Sequence, residues 1–195
     1  MKFNKQDNNW KLFINKSIEQ DNFNNMNRAI FFDRDGVLNE LVKRDGGYYS
    51  PRDQSKFKII PNSAEVTKQT NSLGYLNIVV SNQPDVARGY LNLDELEKMT
   101  RILVDELIID DVFYCIHDES DLCDCRKPAP GLFIQAAKKW KIDLQNSYMI
   151  GDTWKDIEAA KNADITSLLL DRVYNLDCDS PNRISSLKDI LNYIG

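Results

Sequence analysis

The chain has 195 residues, 42% of them hydrophobic and 28% charged, with a formal net charge of -5. That length suits one domain whose core needs no covalent staples, and the acidic balance argues against broad contact with nucleic acid or an anionic membrane. No apolar run approaches the roughly 20 residues that cross a bilayer, and the first residues lack the apolar stretch and cleavage site of a secretory signal, so a cytoplasmic location is expected.

Residues 1–27 read as an asparagine-rich N-terminal extension. Within it Trp10, Phe13, Ile14 and Ile18 fall at helical spacing and predict one short amphipathic helix. The remaining residues, 28–195, read as one domain. Its β-branched and aromatic runs predict strands at 28–32, 75–80, 111–116, 147–150 and 166–170. Between and after them, helices are predicted over 62–73, 93–109, 130–140, 153–163 and 185–194. Pro61 and Pro130 mark the start of the first and third, Asn92 or Asp94 caps the second, and Ser185 or Ser186 caps the last. This alternation predicts an α/β, Rossmann-like parallel sheet with helices on both faces. The short interval from Asp35 to the helix at 62 leaves no room for a large cap domain.

In such sheets ligands bind beyond the carboxyl ends of the strands. Four polar groups follow the predicted strands there: Asp33 and Asp35; Ser81 and Asn82; Cys115, His117 and then "CDCRKP"; and "GDTWKD". Two aspartates two residues apart at the end of a buried strand repel each other, and a cation or a reaction is needed to justify them. Asp33, Asp35 and Asp152 at one sheet edge would make a hard, oxygen-rich site suited to Mg2+. Asp33 could then attack phosphorus as a carboxylate nucleophile, and Asp35 could exchange protons with the leaving oxygen and the attacking water. Ser81 and Lys127 would supply a hydroxyl and a cation for the transferring phosphoryl group. Read singly, Ser81 and Asp156 are ordinary turn and cap residues.

Three of the four cysteines surround the only histidine in the pattern C-x-H-x5-C-x-C: Cys115, His117, Cys123 and Cys125. Thiolates and an imidazole at this density suit a closed, structural Zn2+ site; the alternative is a redox pair of thiols near a surface histidine. Zinc would pin the loop 115–127 and hold Arg126 and Lys127 over the sheet edge. Cys178 lies outside the pattern.

These groups together resemble the haloacid dehalogenase superfamily. "DRDGV" is similar to its D-x-D-G-[TV] motif, Ser81 in "VVSNQ" to the second motif, Lys127 in "CRKP" to the third and "GDTWKD" to the acidic fourth. The resemblance implies a phosphatase that works through an aspartyl-phosphate, with Asp33 as nucleophile and Asp35 as general acid and base. It implies Mg2+ on Asp33, the Asp35 carbonyl and Asp152, with Asp156 orienting the metal site or Lys127 from behind.

The zinc loop ending in "CDCRKP" is similar to the branch that contains heptose 1,7-bisphosphate 7-phosphatases and histidinol-phosphate phosphatases. "SNQPDVARGY" resembles the heptose enzymes' [ST]-N-Q-S-G-[IV]-A-R-G-Y, with Pro84 and Asp85 in place of Ser-Gly. The five-residue spacer "DESDL" is short, as in many histidinol phosphatases. The favoured expectation is a sugar bisphosphate substrate on the way to activated heptose for surface polysaccharide. Histidinol phosphate or another small phosphate is the alternative, and a zinc-stabilised binding module without catalysis is a third reading. Gly47, Tyr48, Asn82, Gln83, Arg88 and Arg126 are the expected substrate contacts; Arg88 reads equally well as a solvated loop residue and Tyr48 as a packing residue. No nucleic-acid or membrane partner is expected, and the enzyme is expected to be a monomer.

Overall fold

The structure, a computed structural model, describes residues 3–6, 9–12 and 26–194. In chain order its elements are β1 (Phe3–Gln6), β2 (Asn9–Leu12), β3 (Arg28–Phe32), β4 (Val42–Arg44), β5 (Gly47–Tyr49), α1 (Ser63–Ser72), β6 (Tyr75–Asn82), α2 (Leu93–Glu106), β7 (Asp111–Cys115), α3 (Gly131–Trp140), β8 (Tyr148–Gly151), α4 (Trp154–Asn162), β9 (Thr166–Leu170) and β10 (Arg183–Ile184). Strand order in the main sheet is β1-β2-β7-β6-β3-β8-β9-β10. The six strands from β7 to β10 are parallel, and β2 adds to β7 antiparallel.

Strand pleat explains the two-sided core. In β3, Ile30 and Phe32 join one apolar layer while Ala29 and Phe31 join the other, because successive side chains point to opposite faces. The first layer packs on Val66 of α1 and on Leu96, Met99 and Leu103 of α2. The second packs on Leu132, Phe133 and Ala136 of α3 and on Ala159 and Ala160 of α4. Phe31 meets Phe133 edge to face at 5.1 Å, a favoured aromatic geometry. Strands buried on both faces read as continuous apolar runs, which is why these were legible in sequence.

From β3 the chain winds outward through β6 to β7, then crosses back to β8 on the other side of β3 and on to β9 and β10. The crevice between β3 and β8 is therefore the topological switch point, where α/β sheets bind ligands. The insertions near it are the antiparallel hairpin β4–β5 and the loop after β7.

Two expectations need correction. The helix expected through Trp10 gives way to β2, whose Lys11 and Leu12 pair with β7; Phe13, Ile14 and Ile18 lie outside the described residues. The helix expected over 185–194 is a short 3-10 segment, Leu187–Asn192, with Ser186 as its cap. The tighter winding brings Leu187 and Ile190, three residues apart, onto the core together. Among the described residues no helix is long and apolar enough to cross a membrane.

Candidate active site

The backbone of β3 continues past Phe32, where the Asp33 amide donates to Ile150 O of β8 at 2.9 Å. This places Asp33 directly over the switch point. The turn then tightens at Gly36, whose φ of +86° suits glycine. A Cβ there would lie 2.1 Å from Asp152 Oδ2, so the bare Cα is what lets the end of β8 approach the end of β3.

Lys127 reaches this point from the loop after β7. Its ammonium donates to Val80 O at 2.8 Å and to Asp156 Oδ1 at 2.5 Å, and pairs with Asp33 Oδ1 at 3.0 Å. Its backbone is held by Asn82, which accepts from the Lys127 amide at 3.0 Å and donates to its carbonyl at 2.9 Å. Asp156 is fixed in turn, its Oδ2 accepting from the Thr153 amide and hydroxyl at the start of α4. Burial would lower the Lys127 pKa, but the Asp156 and Asp33 charges outweigh it and hold it above the ordinary lysine value.

The carboxylates differ sharply in environment. Burial pushes Asp33 up to about 6 against the pull of Lys127. Burial, with the charges of Asp33 and Asp156, holds Asp152 well above the carboxylate range. Burial also acts on Asp35, yet the Arg34 guanidinium overcomes it and lowers that carboxyl below its ordinary value. Arg34 is fully buried and pairs with Asp35 at 2.9 Å; Asn39 and Gln83 complete the cradle, donating at 2.9 and 2.7 Å.

These groups line a cavity of about 580 Å³ that includes Asp33, Asp35, Ser81, Asn82, Lys127, Asp152 and Asp156. The hairpin contributes Gly46, Gly47 and Tyr48, and the loop after β7 contributes Arg126. A somewhat larger depression, about 670 Å³, is formed around residues 171–183. It contains neither Asp33, Asp152 and Asp156 nor the Cys/His cluster, so the carboxylates and Lys127 face the first cavity.

Two of the expected substrate contacts lie elsewhere. Gln83 is buried against Asp35 and Arg34. Arg88 is not among the lining residues, and its guanidinium grips Asp118 at 2.7 and 2.6 Å. Gln83 lies beneath the cavity floor, while the 83–90 turn, with Tyr90 N on Asp85 O, carries Arg88 outside it. Sequence reading overlooked Arg34, Asn39, Lys155 and Tyr174. Arg34 stands inside the "DRD" motif and was open to notice; Tyr174, in a polar loop, has no spacing signal. The hairpin is a further feature that sequence reading overlooked, although "RDGG" carries its signal: Asp45 and Gly46 both take positive φ, as a tight two-residue turn requires.

Asp33, Asp152 and Asp156 bring one carboxylate oxygen each within 4.8 Å of the others. Three carboxylates against the one ammonium of Lys127 leave two negative charges, a match for a divalent cation. Asp152 Oδ1 is buried without a hydrogen-bond partner, as a metal ligand would be. Both Asp156 oxygens are already engaged, by Lys127 and Thr153, unlike Asp152 Oδ1. The second cluster is Cys115, His117, Cys123 and Cys125. Sulfur–sulfur separations are 3.6 and 3.5 Å, and His117 Nδ1 lies 3.7 and 3.3 Å from Cys115 and Cys125. A tetrahedral zinc site has edges of about 3.8 Å between sulfurs and about 3.6 Å between sulfur and nitrogen. The four ligands fit that size.

Fold and site together define a phosphoric monoester hydrolase. The HAD-hydrolase-like family model matches residues 124–172. The D-glycero-beta-D-manno-heptose-1,7-bisphosphate 7-phosphatase of Helicobacter pylori is 38% identical over 152 residues, 75% of this chain and 84% of that protein. The D-glycero-alpha-D-manno-heptose-1,7-bisphosphate 7-phosphatase of Campylobacter jejuni is 33% identical over 171 residues, 85% of this chain and 95% of that one. The solved D,D-heptose 1,7-bisphosphate phosphatase of B. bronchiseptica, complexed with magnesium and phosphate, superposes with a TM-score of 0.74 at 23% identity, covering 86% and 97% of the two chains. The chain belongs to the haloacid dehalogenase-like phosphatase family of these relatives.

Proposed function

We propose that the protein removes the 7-phosphate of D-glycero-D-manno-heptose 1,7-bisphosphate, using Mg2+ at Asp33, the Asp35 carbonyl and Asp152. The observation that carries the reading is the convergence of Asp33, Asp35, Lys127 and Asp152 on one cavity, in a chain whose relatives bear that activity in their names. Bound Mg2+ would neutralise the carboxylates and polarise the phosphoryl oxygens. Asp33 attacks phosphorus and the sugar oxygen leaves, forming the aspartyl-phosphate. Asp35 takes a proton from the water that cleaves the acyl phosphate and hands that proton to the leaving sugar oxygen of the next turnover. The Arg34 cradle favours ionised Asp35, the form needed for the second step. Lys127 and the Ser81 hydroxyl meet the phosphoryl charge. Arg126 and Lys155, both on the cavity wall, supply cations for the remaining phosphate.

Zn2+ is assigned to Cys115, His117, Cys123 and Cys125. With four protein ligands it has no open position and serves to shape the loop that presents Arg126 and Lys127.

The test is phosphate release, with Mg2+, from both anomers of the heptose bisphosphate beside histidinol phosphate. The heptose bisphosphate is expected to give a kcat/KM at least tenfold higher. Preference for histidinol phosphate would overturn the substrate while keeping the chemistry, and hydrolysis of no phosphomonoester would overturn both.

A further inference from the structure

We infer that Tyr174 is a positioning residue that ties the hairpin β4–β5 to the metal-binding carboxylate of Asp152, so that hairpin docking and Mg2+ binding support each other; this rests on the metal assignment just proposed. The Tyr174 hydroxyl donates to Asp152 Oδ2 at 2.5 Å. That bond occupies one carboxylate oxygen and leaves Oδ1, buried and without a partner, to face an ion. The pair rests on the bare Cα of Gly36, where a Cβ would stand 2.1 Å from Asp152 Oδ2 and 2.6 Å from the Tyr174 hydroxyl. The carboxylate is thus wedged between two surfaces.

The loop that carries Tyr174 is itself braced on the catalytic turns. Asn175 donates to Asp152 O at 2.8 Å and to Leu170 O at 2.9 Å. Arg172 donates from Nε to Gly36 O at 2.9 Å, and its amide donates to the Asn175 side chain at 2.9 Å. Residues 172–175 therefore hold the ends of β3 and β8 in register.

Tyr174 has a second face. Its ring packs on the Tyr48 ring with centroids 4.8 Å apart and planes tilted by 43°. Tyr48 belongs to β5, and both tyrosines line the cavity. A ligand that settles Tyr48 also settles Tyr174, and through its hydroxyl the Asp152 carboxylate. Binding linkage is reciprocal, so an ion that fixes Asp152 also favours the hairpin in its docked position.

The experiment measures Mg2+ binding to the full chain by calorimetry, without and with inorganic phosphate, for the wild type, Tyr174→Phe, Tyr174→Leu and Tyr48→Leu, beside kcat and KM at saturating Mg2+. Tyr174→Phe keeps the ring and loses the hydroxyl. It is expected to weaken Mg2+ about 10- to 100-fold, the usual cost of losing a residue that orients a metal ligand. Excess Mg2+ should return its kcat and KM to near the wild-type values. Tyr174→Leu should show the same Mg2+ loss and, in addition, a raised KM that excess Mg2+ does not restore. Tyr48→Leu should weaken Mg2+ severalfold although it touches no carboxylate. A purely structural role would lower the melting temperature and leave the Mg2+ affinity alone. Mg2+ affinities within twofold of the wild type in Tyr174→Phe would overturn the inference while leaving the metal site standing. Failure of the wild type to bind Mg2+ would overturn the metal assignment and the inference with it.

Discussion

Arg34 and Asp35, neighbours in sequence, form a buried ion pair at the cavity floor, with Arg34 Nε and Nη2 donating to Asp35 Oδ1 at 3.2 and 3.0 Å. The guanidinium lies between the rings of Phe57 and Tyr114, 5.5 Å from each. Adjacent residues in a strand point apart; here the turn after β3, where Leu38 and Asn39 amides donate to Arg34 O, swings both side chains to one side.

Removing the cation alone should therefore be costly. Arg34→Met leaves a buried carboxylate unpaired and is expected to destabilise the protein by about 3–5 kcal/mol in urea unfolding. Arg34→Met combined with Asp35→Asn should recover much of that loss. Simple additivity of the two substitutions would show that the pair is not energetically coupled.

Asp33→Asn should abolish turnover while leaving the fold intact. It should also change how stability depends on pH in Mg2+-free buffer. Asp33 in the folded protein titrates at about 6 against an ordinary 3.8, so between those values the folded state holds a proton that the unfolded chain has lost. Stability then falls as pH rises through that window and stays lowered above it. The asparagine variant lacks this contribution, so it should melt several degrees higher than the wild type at pH 7 without Mg2+ and decline less between pH 4 and 6. Parallel melting curves would contradict the placement of Asp33 in a buried, electronegative site.

Cys123→Ser should lose zinc. Elemental analysis is expected to fall from about one zinc per chain to well below that, with a lower melting temperature and reduced kcat, because the loop that carries Lys127 loses its anchor. Unchanged metal content would remove the zinc assignment.

The two arginines should separate cleanly. Arg126→Ala is expected to raise KM for a sugar bisphosphate about tenfold or more with a smaller change in kcat, the signature of lost ground-state binding. Arg88→Ala breaks the partly exposed pair with Asp118, for which only a small loss of stability is expected, and should change KM by less than threefold. Equal KM effects would mean that Arg88 enters the cavity when substrate binds.

The sheet was legible because buried parallel strands write themselves as apolar runs, and the meeting of Asp33, Asp35, Lys127 and Asp152 in one cavity because each lies in a segment that follows one. Ser81, near the end of β6, and the Cys115–Cys125 pattern, which starts at the end of β7, were readable because position at a strand end, or spacing within a loop, places them. Gln83 and Arg88 sit in a matching stretch of sequence, yet Gln83 is buried beneath Asp35 and Ser81, and Arg88 turns to Asp118. Local sequence does not determine such placements.

Sequence by itself determined the α/β winding, the polar groups that meet beyond the strand ends and the spacing of Cys115, His117, Cys123 and Cys125, since periodicity and residue type carry that information directly. Tertiary structure decided which side chains hold those groups in their working states. The Arg34 guanidinium, against burial, holds the Asp35 carboxyl below its ordinary value. Lys127 bridges Asp33 and Asp156, and Tyr174 crosses from the end of β9 to Asp152 and Tyr48. Each contact depends on distances set by packing between segments far apart in the chain, and no local pattern of residues encodes them.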